Sequence, residues 1–105
     1  MEKPNLNYLK EISGGDIDFE NSMLSILKTE LPEELSILKS YYENSNYEEL
    51  SLSIHKIKHK IGMLGMPIAL EFASKIENDV KKGNLEQYTD LIFILERINV
   101  YLKNQ

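Results

Sequence analysis

From Ser53 to Gly65 the chain reads SIHKIKHKIGMLG, a stretch that combines imidazoles, ammonium groups and a glycine with regularly spaced aliphatic residues. On a helix advancing about 100° per residue, Leu50, Ile54, Ile57, Ile61 and Leu64 fall in one narrow arc, the expected core face. Ser51, His55, Lys58 and Gly62 gather on the adjacent strip. A solitary exposed histidine is ordinarily just a solvated polar residue. Here it has small residues one turn before and two turns after it, and a cation three residues away, which makes an accessible ring on a rigid element. Imidazole, with an ordinary pKa of about 6.5, is largely neutral near neutral pH. Its ring nitrogen can therefore attack phosphorus without a separate strong base. An ammonium at i+3 is within reach of such a phosphoryl group and offsets its charge. Glycine inside a helix costs about 1 kcal/mol relative to alanine, so Gly62 implies close approach by a partner or by another helix.

Other chemistry at this strip is weaker. His55 and His59 stand four apart, a spacing that can hold a metal on one helix face. Leu52 and Lys56, three before the two histidines, break the Glu-x-x-His pattern of carboxylate-bridged di-iron bundles. Helical geometry sends Lys56 and Lys60 to one side and Lys58 to another, so HKIKHK makes a local positive rim rather than a nucleic-acid stripe. Met23, Met63 and Met66 and the six tyrosines read as packing and boundary residues. The chain has no Gly-rich phosphate loop, no G-x-S-x-G and no paired acids set against a nucleophile, so an autonomous enzyme is not expected.

The chain that must position this strip has 105 residues, enough for one compact domain over residues 1–105. Twelve basic against 17 acidic residues, net charge -5, argue against phosphate-backbone binding as the main activity. The absence of cysteine removes disulfides, thiolate zinc sites and thiol nucleophiles, and fits a reducing compartment. No signal-like apolar run opens the chain and no stretch reaches the roughly 20 apolar residues of a membrane span. A soluble, cytoplasmic protein, a monomer with no nucleic-acid or membrane partner, is the expectation.

Punctuation by glycine and proline divides the chain into helices. A short one over Asn5–Ile12 carries Leu6, Leu9 and Ile12 and stops at Gly14-Gly15. Asp16 caps the next, whose apolar residues Ile17, Phe19, Met23, Leu24, Ile26, Leu27 and Leu31 spread over a wide arc, suited to two neighbours. Pro32 predicts a kink or restart, after which Leu35, Leu38 and Tyr42 continue the stripe to about Glu43. Asn46 and Glu49 approximate a capping box for the helix of His55, which ends near Leu64 with Gly65 free to turn left-handed. Pro67 opens the next helix, with Ala69, Ala73, Ile76 and Val80 inward, and Gly83 closes it. Asn84 is expected to cap the last helix, carrying Tyr88, Leu91, Leu95, Ile98 and Leu102 to about Lys103. Four amphipathic helices with short connections predict an all-α, antiparallel up-down four-helix bundle with a short extra N-terminal helix.

His55, Lys58, Leu64 and Gly65 reproduce the H-x-x-K, then L-G, arrangement of histidine-containing phosphotransfer (HPt) domains, and MPIALEFASKIE resembles the family's following helix. The resemblance extends upstream through NSNYEELSLSIH, the long Pro-interrupted helix and YLKEISGGD, nearly the whole chain. It implies a four-helix bundle that carries a phosphoryl group on His55, at Nε2, with Lys58 assisting. It further implies exchange with aspartates of response-regulator receiver domains, traffic with a hybrid sensor histidine kinase, no ATP site and no cofactor of its own, and Mg²⁺ supplied by the receiver. Ser51, Lys56, His59 and Gly62 would then meet the partner. His59 departs from the family pattern, which commonly has Gly or Ser after the lysine, and Gly62 rather than a lysine stands three residues beyond it. Two other readings remain open at this point: a helical module that binds a receiver or kinase as inhibitor or scaffold without being phosphorylated, and a metal-binding bundle.

Overall fold

The computed structural model describes residues 2–105. Five helices follow one another: α1 (Asn7–Ser13), α2 (Ile17–Glu43), α3 (Tyr47–Met63), α4 (Pro67–Lys81) and α5 (Tyr88–Lys103). The connections at 44–46, 64–66 and 82–87 are too short for anything but reversal of direction, so α2 to α5 form an up-down bundle. α3 lies between α2 and α4, and α5 closes the ring against both. The five aliphatic residues Leu50, Ile54, Ile57, Ile61 and Leu64 are all fully buried, as are Ala73, Leu91, Leu95 and Ile98 on the facing helices. The 3.6-residue period therefore located the apolar core positions of α3, α4 and α5, and left out the buried Ser51 and Glu77.

Three local expectations are corrected. Pro32 does not restart the chain as a second helix: α2 runs unbroken for 27 residues. An internal proline costs about 3 kcal/mol. Leu27, Leu31, Leu35 and Leu38 are buried on both sides of it, and their burial, about 1.5–3 kcal/mol each, outweighs that cost. The wide apolar arc at the start of α2 does not touch two neighbours throughout. Ile17, Phe19 and Ile26 stay largely exposed because α2 is far longer than α3, α4 and α5 and its first turns overhang them. Asn84 does not cap α5. Its Oδ1 accepts from the Glu86 N–H at 3.0 Å, forming an Asx turn, while Leu85 packs on the core and the helix starts only at Tyr88.

The other caps form as their residues dictate. Asp16 Oδ1 accepts from the Phe19 N–H at 3.1 Å, and Asn46 Oδ1 from the Glu49 N–H at 3.4 Å. Gly65 takes φ +70°, and a Cβ there would lie 2.6 Å from the Asn5 side chain. That contact belongs to an N-terminal strap: the Asn5 N–H donates to the Leu64 carbonyl at 2.8 Å. Glu2 accepts from the Ile68 and Ala69 N–H groups at 2.9 and 2.8 Å. The carboxylate thus caps α4, whose own N-cap, Met66, has no side-chain acceptor. The strap and Gly65 set the α3–α4 turn, and with it the register between the two helices that build the site.

Candidate functional site

α3 presents His55 at the edge of its buried face, with the side chain 55% exposed. What α4 brings opposite is Glu77, which lies on the inward face with Ala73, Ile76 and Val80 and is buried. His55 Nδ1 is 3.0 Å from Glu77 Oε2 and 3.3 Å from Oε1. Lys58 Nζ is 2.8 Å from Oε1, and Lys81, one turn further along α4, is 3.6 Å from Oε2. Burial by itself would push the Glu77 carboxyl up, but the Lys58 ammonium and the His55 ring beside it hold it below the usual glutamate range. Glu77 is therefore an ionised acceptor, and the proton between it and the ring belongs to His55 Nδ1. With Nδ1–H donating inward, the lone pair of the neutral ring sits on Nε2.

Lys58 is only 18% exposed and also reaches Ser74 Oγ at 3.4 Å, so it is held beside His55 by α4 rather than standing free in solvent. Ser51 is 1% exposed and donates from Oγ to the Glu77 carbonyl at 3.2 Å. This corrects its expected place on a docking face: a hydroxyl under α4 cannot touch a partner, and it instead ties α3 to the turn of α4 that carries Glu77. The close approach expected at Gly62 is not seen: a Cβ there would sit 3.4 Å from Leu70 Cδ2 of α4, an ordinary van der Waals contact with the end of a flexible side chain. The small side chain at 51 thus lets α4 lie close on α3 beside the histidine turn.

The outer face keeps His59, Lys56 and, unremarked in the sequence pattern as a surface feature, Leu52, which is 56% exposed. His59 lies edge-to-face against His55, ring centres 5.3 Å apart. The expected positive rim is smaller than the sequence implies. Lys56 is 74% exposed and 3.9 Å from Glu34, but Lys60 is turned inward, 2.7 Å from Glu34 and 3.1 Å from Glu30 of α2. Burial would lower the Lys60 pKa, yet the Glu34 and Glu30 carboxylates raise it above the usual lysine value. Among the described residues, no group of three or more His, Cys, Asp or Glu is placed to hold a metal ion.

Glu77 is the residue that sequence reasoning missed. Its signal was available: an acid one position after Ile76 and four after Ala73, on the stripe assigned to the core, must find a cation or a donor.

A half-exposed imidazole on a helical bundle, with one nitrogen tied to a buried carboxylate and an ammonium alongside, defines a class of histidine-based carrier sites. The Hpt domain family model matches residues 22–104, most of the chain, and the protein belongs to that family. It is a histidine phosphotransfer module of two-component signalling, a family of phosphocarriers rather than catalytic enzymes, whose members interact with receiver domains and kinases in phosphorelays. No curated protein and no solved structure gave a match. No helix among the described residues is long and apolar enough to cross a membrane.

Proposed function

We propose that residues 1–105 act as one phosphorelay carrier in which His55 accepts a phosphoryl group from a receiver-domain aspartate and passes it to another receiver. The observation that carries this reading is the contact between His55 Nδ1 and the buried Glu77 carboxylate at 3.0 Å. It fixes the tautomer, orients the ring, and directs the basic Nε2 away from the protein's own acceptor.

In the forward step the Nε2 lone pair forms the N–P bond as the bond from phosphorus to the aspartyl oxygen breaks, and the electron pair of that bond leaves with the aspartate carboxylate. The ring acquires positive charge while Nδ1 keeps its proton, and ionised Glu77 lies within hydrogen-bond distance to offset that charge. Lys58 lies beside the same carboxylate, and a modest rotation brings its ammonium toward the phosphoryl oxygens as they arrive. The reverse displacement by a second aspartate returns the group. In this reading the chain supplies neither an ATP site nor a cofactor; the receiver supplies the acceptor carboxylate and Mg²⁺, and a hybrid sensor histidine kinase stands upstream. Leu52, Lys56 and His59 form the surface a receiver meets, in the cytoplasm, with the carrier acting as a monomer.

A scaffold that merely docks a receiver has no use for a fixed tautomer, which favours the carrier over the non-phosphorylated module. The test is incubation with a phosphorylated receiver and Mg²⁺. An acid-labile, base-stable label is expected on the wild-type protein and none on His55→Gln; label on both proteins, or on neither, rejects the proposal.

A further inference from the structure

His59 is the residue that the phosphotransfer scheme does not need, and its placement suggests a second use for the same imidazole. Two imidazoles bound to one tetrahedral ion, with metal–nitrogen bonds of about 2.1 Å, an angle of about 109° and about 1.1 Å from nitrogen to ring centre, stand about 5.2 Å apart, centre to centre. The His55 and His59 ring centres are 5.3 Å apart. The separation therefore suits chelation, but the rings lie edge to face, so nitrogens of both converge on one ion only after His59 turns about its side-chain bonds, with no backbone movement to make.

A second, independent feature points the same way. Metal-binding histidines characteristically donate their other ring N–H to a carboxylate, which sets the tautomer and raises the basicity of the ligating nitrogen. His55 has that arrangement through Glu77. Lys58 is paired with Glu77 and Lys60 with Glu30 and Glu34, which leaves the exposed Lys56, 3.9 Å from Glu34, as the weakly paired cation beside the two rings. His55 and His59 are both exposed, so solvent can complete the coordination.

We propose that His55 and His59 form a two-histidine site for a zinc-class divalent transition metal, with water in the remaining positions. Occupation of the site places the metal on the Nε2 lone pair. Resting on the carrier reading above, the consequence is that metal and phosphoryl group exclude one another, so the site acts as a metal-sensitive block on phosphorylation.

The test uses the full chain, stripped with chelator and titrated calorimetrically with zinc chloride. One ion per chain is expected for wild type, with affinity reduced at least about tenfold in both His59→Gln and His55→Gln. Phosphorylation is then followed with phosphoramidate as donor, a reagent that brings no receiver metal site into the assay; ammonia leaves as the new N–P bond forms. Each protein is compared with itself in chelator. Zinc should slow wild type at least about tenfold and His59→Gln by no more than about twofold. Equal zinc affinity in wild type and His59→Gln, one ion shared by two chains, or full-rate phosphorylation of zinc-loaded wild type would each overturn the proposal. Should no label reach His55 even in chelator, the carrier reading fails on its own, and the titration still decides whether the metal site exists.

Discussion

α3 is flanked by two carboxylates, Glu77 buried and Glu34 part-buried, that look alike and do different things. On the α4 side Glu77 holds His55, Lys58 and Lys81; on the α2 side Glu34 holds Lys60 and, at longer range, Lys56. The two acids are similarly shielded, 8% and 10% exposed. Both oxygens of Glu77 are engaged, whereas Glu34 Oε2 is buried without a hydrogen-bond partner. Glu34 pins a lysine, whose charge is its only useful property there. Glu77 pins one nitrogen of a ring that has a second nitrogen to offer. The same ion-pair chemistry is thus a staple on one side of the helix and, through the imidazole, a device for directing a lone pair on the other.

The largest expected effect separates the two directly. Glu77→Ala should slow phosphoryl acceptance by about 10–100-fold, the range for losing a carboxylate that orients a reactive histidine. Glu34→Ala should leave the rate within about twofold, since Lys60 touches neither the ring nor its partner. A quench-flow comparison of the two decides it, and equal losses in both would erase the distinction drawn here.

Stability should respond on both sides. Each acid-to-alanine change leaves a shielded lysine short of its partner, costing about 1–3 kcal/mol in urea unfolding after allowance for the lysine reaching solvent. The pH dependence then has opposite signs. Glu77, with its folded pKa depressed, stabilises the protein above its unfolded value and loses that contribution as pH falls below about 4.3. Lys60, with its folded pKa raised, stabilises fully below its unfolded value and loses the contribution as pH rises beyond about 10.4. Glu77→Gln should flatten the acid limb of a stability–pH curve and Lys60→Gln the alkaline limb; the reverse pattern would refute the assignment.

Smaller effects sharpen the picture. Ser51→Ala removes one buried hydrogen bond between α3 and α4 and should cost about 1 kcal/mol, with a loss of phosphorylation rate only if Glu77 shifts. Lys56→Glu should change folding stability by less than about 0.5 kcal/mol, while slowing receiver association at low salt in stopped-flow measurements.

Much of the bundle was legible from residue order. Periodicity placed the buried faces of α3, α4 and α5, and Asp16, Asn46, Gly65 and Pro67 marked helix ends, because these signals act within a few residues of chain. The expected restart at Pro32 failed for the complementary reason: proline's local preference is small beside the burial of four leucines, and that burial exists only once α3 and α5 lie against α2.

At the site, the sequence by itself determined that His55 and Lys58 share one strip of a helix next to the core, since i and i+3 are neighbours on any α-helix. Only the tertiary structure decided that Glu77, 22 residues away, meets both, that Ser51 lies beneath α4, and that Lys60 turns inward to α2. These are outcomes of the register in which α4 and α2 dock on α3. That register is set by interdigitating side chains and by Asn5 against the Gly65 turn, long-range contacts that no short window of sequence contains.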